Sequence, residues 1–328
     1  MSRKRTSVFS LVLAVAFSIA AGWLFFNRQF VVDQLAVWQY EPTAQVAAIV
    51  EQSAMSNEGE FLFYASKPAI QEAEKFNESC GGTEKNVATL GCYTNYRIFV
   101  YDVANKELEG IKTVTSAHEM LHAVYQRLDT DEKTELNKLL ETEYEELKDN
   151  PRFSERMAVY AEIEPGERAN ELHSIIGTEV SEISGALEDH YDQYFTDRQV
   201  VVSLHNSYAS VFDELQQQAD ALAKEIEQLN QQLRVSRSSY EADRDALNAD
   251  IAAFNENANS GGFSTRTEFE QERSSLVARS EQLNNRREAI NATTSLYNEK
   301  VKTFNELSVR VNSLYQSIDS KLEPSPAL

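Results

Sequence analysis

The apolar positions change their period three times along the chain. From Ser7 to Phe26 they form an uninterrupted run of about 20 residues, the length needed to cross the hydrocarbon core of a bilayer, and no charge interrupts it. This run predicts a membrane-spanning helix. From residue 29 to residue 198 the pattern is mixed. A helical stretch is expected near Pro42 to Ser53 and a short strand at Phe61 to Tyr64. Tyr93 to Tyr101, dense in aromatic and β-branched residues, is expected to be the main strand. Ala104 to Gly110 then reads as a turn into a helix whose apolar positions are Ala117, Met120, Leu121, Val124 and Leu128, with Thr115 or Ser116 as its cap. A charged helix follows from Asp131 to Asp149, ended by Asn150-Pro151, and a further helix lies within Glu164 to Glu179.

Beyond residue 199 the period becomes seven. Leu215, Leu222 and Leu229 are followed by Ile226, Leu233, Tyr240, Leu247 and Phe254 on a neighbouring seam. After Gly261-Gly262 a second series runs Phe269, Leu276, Leu283, Ile290, Tyr297, Phe304, Val311 and Ile318. A seven-residue repeat keeps one seam against a partner helix, so the pattern predicts an antiparallel coiled-coil hairpin with arms of ~50 residues, or about 75 Å. Thr265 and Glu268 are placed to form a capping box at the start of its second arm. Several seam partners are polar (Arg279, Asn284, Arg286, Thr294), which suits a loosely packed hairpin or one that binds something further.

Charge adds an orientation. Arg3-Lys4-Arg5 precede the apolar run, and basic residues stay cytoplasmic, so the remainder is expected outside the membrane, periplasmic or extracellular. Small residues at Ser18 and Ala20 would suit a cleaved signal peptide, but Trp23-Leu24-Phe25-Phe26 continues the run and favours an uncleaved anchor. A formal net charge of −21 argues against nucleic acid as a partner. The two cysteines, Cys80 and Cys92, are close in sequence and glycine-flanked, so a local disulfide is expected in an exported domain.

The chemistry concentrates at His118-Glu119-Met120-Leu121-His122. Histidines four apart on a helix stack on one face and can hold Zn²⁺ together, while Glu119, about 100° round, is placed to take a proton from a water activated by the metal. A catalytic zinc needs a third protein ligand, and Glu171, His173 and Glu179 downstream are each chemically able to supply it. Farther on, His190, Tyr191 and Tyr194 offer hydrogen-bond donors for a developing oxyanion, or else core packing.

The H-E-x-x-H motif resembles that of the zincin metallopeptidases, and Asn170-Glu171 with Gly177-Thr178 is similar to the second zinc helix of their glutamate-liganded, thermolysin-like branch. The resemblance spans roughly residues 93 to 182. It implies Glu171 as the third ligand, and a small sheet whose edge strand holds extended substrate beside the motif helix. That branch often places an aspartate four residues after the ligand, where this chain has Ile175. Glu179 is then the candidate to orient a histidine.

These readings combine into an α+β chain: 1–28 a basic tip and transmembrane anchor, 29–198 a minimal zincin domain, 199–323 the coiled-coil hairpin, and 324–328 a frayed tail. The expected function is a membrane-anchored zinc metallopeptidase with a peptide or protein substrate. The hairpin would pair with a second copy or bind an envelope protein. The alternative is a noncatalytic envelope scaffold in which the zincin-like domain serves structure alone.

Overall fold

The computed structural model describes residues 2–81, 89–163 and 166–321, with side chains described outside 2–12 and 162–163. Most of the loop between the cysteines, the side chains of the basic cluster and the tail at 324–328 lie outside the described residues. The chain is mostly helical with one small sheet. It divides into two compact units, Met1–Val211 with Leu314–Leu328, and Phe212–Ser313.

In the first unit, α1 (Ser2–Phe26) and α2 (Arg28–Gln39) are followed by α3 (Ala44–Gln52) and α4 (Asn57–Ala65). Among the described residues no single helix is long and apolar enough to cross a membrane. Leu13–Phe26 and Arg28–Gln39 meet the length and composition together, as a pair bent by 80°. Phe61 to Tyr64 is helical, not a strand. Ser56 accepts from Gly59 N at 3.1 Å, and Glu58 and Glu60 sit in the first turn, so capping and dipole outweigh the aromatic content.

The sheet contains β1 (Ala69–Gln71), β2 (Gly91–Thr94) and β3 (Arg97–Tyr101) in the order β1-β3-β2, with α5 (Ala73–Cys80) between the first two in sequence. β1 runs parallel to β3 and β2 antiparallel to it, Thr94 facing Arg97. The stretch expected as one strand is therefore a hairpin. Asn95 and Tyr96 both take positive φ, 51° and 60°, as a two-residue turn between antiparallel strands requires. The aromatic strand β3 is central, and β1 and β2 are the two edge strands. Cys80 and Cys92 lie at disulfide distance, Cα to Cα 6.0 Å, joining the end of α5 to β2.

Next, α6 (Ile111–Arg127) starts after Gly110, one turn earlier than expected. Thr115 and Ser116 are inside it, not at its cap. The earlier polar position Thr113 is accommodated because its hydroxyl donates to Gln52 Oε1 at 2.9 Å. Almost every residue of α6 from Ile111 to Val124 is buried, since the sheet, α3 and α4, and α9 (Arg168–Glu179) pack on different faces of it. Between α6 and α9 come α7 (Thr130–Leu147), which Asp129 and Glu132 start with a capping box, and α8 (Pro151–Ile163). Pro151 thus opens a helix, its missing N–H costing nothing at a first position.

Gly177 lets α9 approach α6 closely. A Cβ there would stand 2.4 Å from Leu121 Cδ1 and 2.7 Å from Tyr191 Cε1. After α10 (Gly185–Tyr191), the buried guanidinium of Arg198 closes the far end of α9. It donates to the carbonyls of Val180 at 2.6 Å and Ser181 at 3.1 Å, and its Nε to Glu188 Oε2 at 2.9 Å. A cation at a helix C-terminus satisfies carbonyls that no turn beyond them can reach.

The second unit holds the greater part of α11 (Arg198–Ser260) and α12 (Arg266–Ile318). Arg279 meets Asp250 at 2.6 Å, Arg286 meets Asp243, Arg237 meets Thr294 at 3.1 Å, and Lys300 meets Glu225 at 2.6 Å. One residue number falls as its partner's rises, so the two helices run antiparallel. Three of the polar seam residues named from sequence, Arg279, Arg286 and Thr294, are among these partners. Phe254, Phe263 and Phe269 cluster at the turn, with centroids 5.1 to 5.3 Å apart. Thr265 Oγ1 accepts from Glu268 N at 3.1 Å, and Glu268 Oε2 accepts from Ser264 N, one residue before the cap a full box would use.

Candidate metal centre

His118 and His122 stand one turn apart on α6, and α9 brings Glu171 across to them. All three are buried. The two Nε2 atoms are 3.1 Å apart; Glu171 Oε2 lies 3.7 Å from His118 Nε2, and Oε1 lies 3.4 Å from His122 Nε2. A tetrahedral zinc with bonds of about 2.0–2.1 Å would hold its ligand atoms roughly 3.3 Å from one another. The two nitrogens meet different oxygens of Glu171, and one ligand atom from each of the three residues lies within 4.8 Å of the others, so they are a group able to hold a metal. Two imidazoles and a carboxylate suit a borderline cation such as zinc better than calcium or magnesium, which take oxygen ligands.

The protonation states agree. Burial lowers His118 to about 4, against the opposing charge of Glu179, and burial also lowers His122 despite Glu171. Both rings are therefore neutral near pH 7, as ligation requires. For His122 the ligating nitrogen is selected from outside. Asn170 Oδ1 stands 2.9 Å from Nδ1 and can only accept there, which places the proton on Nδ1 and the lone pair on Nε2; Ser174 Oγ is 3.2 Å from the same Nδ1.

Glu119 is buried beneath the edge strand. A Cβ at Gly91 would stand 2.7 Å from Glu119 Oε1 and 2.6 Å from Thr115 Cγ2, so only glycine leaves room for this carboxylate under β2. The half-buried ring of Tyr160, from α8, stacks on His118 with centroids 6.4 Å apart and planes 24° from parallel. Burial pushes the Tyr160 hydroxyl up; Arg156 opposes the shift, while Glu171, Glu179 and Glu119 reinforce it. Tyr160 thus keeps its proton.

The other residues singled out from sequence take different places. Glu179 does not join the triad: its Oε1 is 2.8 Å from Arg156 Nη2, its Oε2 3.8 Å from His205 Nε2. The orienting contact on His122 comes from Asn170, while the charge of Glu179 acts on His118. His173 is not in the triad either; its Nε2 meets His190 Nε2 at 2.9 Å. Tyr191 is fully buried and donates to the His173 carbonyl at 2.7 Å, and Tyr194 is buried with its backbone against Gly59. His190 and Tyr191 thus pack against His173 of α9, and His190 against Tyr194. Asn170, Ser174 and Tyr160 were not assigned these roles from sequence. Asn170 adjoins Glu171, but no spacing marks Tyr160, which reaches His118 only because α8 folds back.

No protein-family model, no curated protein and no solved structure matches the chain.

Proposed function

We propose that the protein is a membrane-anchored zinc metallopeptidase with its metal centre outside the cytoplasm. The observation that carries this reading is the convergence of His118, His122 and Glu171, with one ligand atom of each within 4.8 Å of the others, beside a buried Glu119. His118 Nε2, His122 Nε2 and the Glu171 carboxylate would hold the ion. When bound, zinc supplies a Lewis acid that polarises a carbonyl and lowers the pKa of water toward neutrality. Glu119 takes the proton of the attacking water and returns it to the leaving amine. Tyr160 donates to the oxygen that gains charge as the amide carbon becomes tetrahedral. The edge strand β2, next to Glu119, would pair with an extended peptide through its outer N–H and C=O groups.

The resemblance of the H-E-x-x-H motif and of Asn170-Glu171 to those of glutamate-liganded zincins supports the same chemistry, and the basic cluster before the apolar run supports the orientation. In this reading α1 is the anchor, the remainder of the first unit is the catalytic domain, and the antiparallel helices of the second unit form a coiled coil that presents a partner or a second copy.

The test is cleavage of a peptide library by the purified chain. Cleavage is expected, abolished by a chelator and restored by zinc. Glu119→Gln should keep its zinc and lose hydrolysis; turnover by the zinc-loaded variant, or no cleavage by the wild type with zinc bound, overturns the reading.

A further inference from the structure

The helix α2 carries an apolar face that the described residues of the first unit leave exposed. Val32, Leu35 and Trp38 are 58, 46 and 75 % exposed, and Phe30 is 51 % exposed. At 100° per residue, Val31, Val32, Leu35 and Trp38 fall on one side of the helix. The opposite side is fastened down. Asp33 is buried and makes a bidentate pair with Arg127 of α6, Oδ1 to Nη2 2.8 Å and Oδ2 to Nε 2.9 Å, and Gln29 donates to it at 3.1 Å. Arg127 also donates to Tyr93 Oη at 3.0 Å and to the Ala123 carbonyl at 2.9 Å. One guanidinium therefore joins α2, the metal helix and the edge strand.

Two further observations say what covers the open face. First, α2 follows α1 after a single residue and is bent from it by 80°. If α1 stands near the membrane normal, α2 lies near the membrane plane. Second, the exposed side of α2 has no carboxylate although the chain carries a net charge of −21, because the one acidic residue of the helix, Asp33, is turned inward. Exposed aromatics continue through the bend at Trp23, Phe25, Phe26, Phe30 and Trp38, the distribution that interfacial segments favour.

We propose that α2 is an in-plane membrane-interface helix, its Val32–Leu35–Trp38 face set in the lipid headgroup region and its Asp33–Arg127 side holding the metal helix at a fixed height above the bilayer. The proposal rests on α1 being the anchor. The occupant of the face is the lipid surface.

The chain has two tryptophans, Trp23 in α1 and Trp38 in α2, so each can be made the sole reporter. Full-length Trp23→Phe and Trp38→Phe proteins are reconstituted into phosphatidylcholine vesicles whose acyl chains carry bromine at shallow or deep positions. Trp38 should be quenched at least twofold more by shallow than by deep bromine, and should be several-fold less open to aqueous iodide than in the Val32→Glu/Leu35→Glu variant. Trp38 open to iodide and untouched by bromine overturns the proposal. So does Trp38 shielded from iodide without bromine quenching, which would report a second copy or a protein partner on this face. Trp23 tests the anchor separately. If Trp23 is quenched and Trp38 is not, only this inference falls; if Trp23 is not quenched either, the anchor reading falls with it.

Discussion

The side-chain oxygen of Asn170 lies 2.9 Å from Nδ1 of His122, on the side of the ring away from Glu171. An amide oxygen cannot donate, so this contact holds the proton on Nδ1. Asn170→Ala should weaken zinc binding about 10- to 100-fold, the usual effect of removing a group that orients a metal-ligating histidine. Competition with a chelating dye measures it. Asn170→Asp should restore or exceed wild-type affinity, because a carboxylate accepts from the same N–H.

Gly91 and Glu119 are a second coupled pair. In Gly91→Ala the new methyl group would crowd Glu119 Oε1 and Thr115 Cγ2, and the carboxylate must move. A displacement near 1 Å in a catalytic group costs on the order of 100-fold in rate. The expected outcome is kcat lowered by that order with zinc content unchanged, read by steady-state kinetics and metal analysis on one preparation.

Tyr160→Phe removes the hydroxyl but keeps the ring that stacks on His118. The proposed role predicts a fall in kcat of roughly 100-fold or more, as for loss of one donor to a developing oxyanion, with KM and zinc affinity little changed. A purely packing role would leave kcat near wild type.

The pair His173–His190 predicts a pH dependence of stability. Burial lowers His190 to about 4 and His173 well below the usual imidazole range, while the unfolded chain titrates near 6.5. Below that value the unfolded state binds protons the folded state refuses, so stability is complete above pH 6.5 and is lost as pH falls toward 4. For His190 alone the loss is roughly 3 kcal/mol by pH 4. Urea midpoints of wild type and His190→Gln across this range check it: the variant should show the shallower slope, and parallel curves would contradict the assignment.

The parts of the fold that were legible in sequence are those set by short-range geometry. Histidines four apart must share a face of any helix that contains them, and the structure supplies that helix in α6. Thr43 caps α3 as a helical stretch near Pro42 leads one to expect, its hydroxyl accepting from Val46 N at 3.3 Å. The misreadings have local causes that stronger signals concealed. Asn95-Tyr96 turns a hairpin inside an aromatic run because asparagine tolerates positive φ, and the run hid the turn. Ser56 started a helix through Phe61 to Tyr64 where aromatic content suggested a strand. Glu171 was singled out from His173 and Glu179 only through family resemblance, and Tyr160 not at all, since each meets the histidines through long-range packing that no periodicity encodes.

The central claim is that His118, His122 and Glu171 bind one zinc ion together. The most direct measurement is the zinc stoichiometry and affinity of the purified full-length chain beside those of Glu171→Ala. One ion per chain, with affinity lost by at least an order of magnitude in the variant, is the predicted result. A wild-type chain that binds no zinc, or a variant that binds it as tightly, would contradict the account.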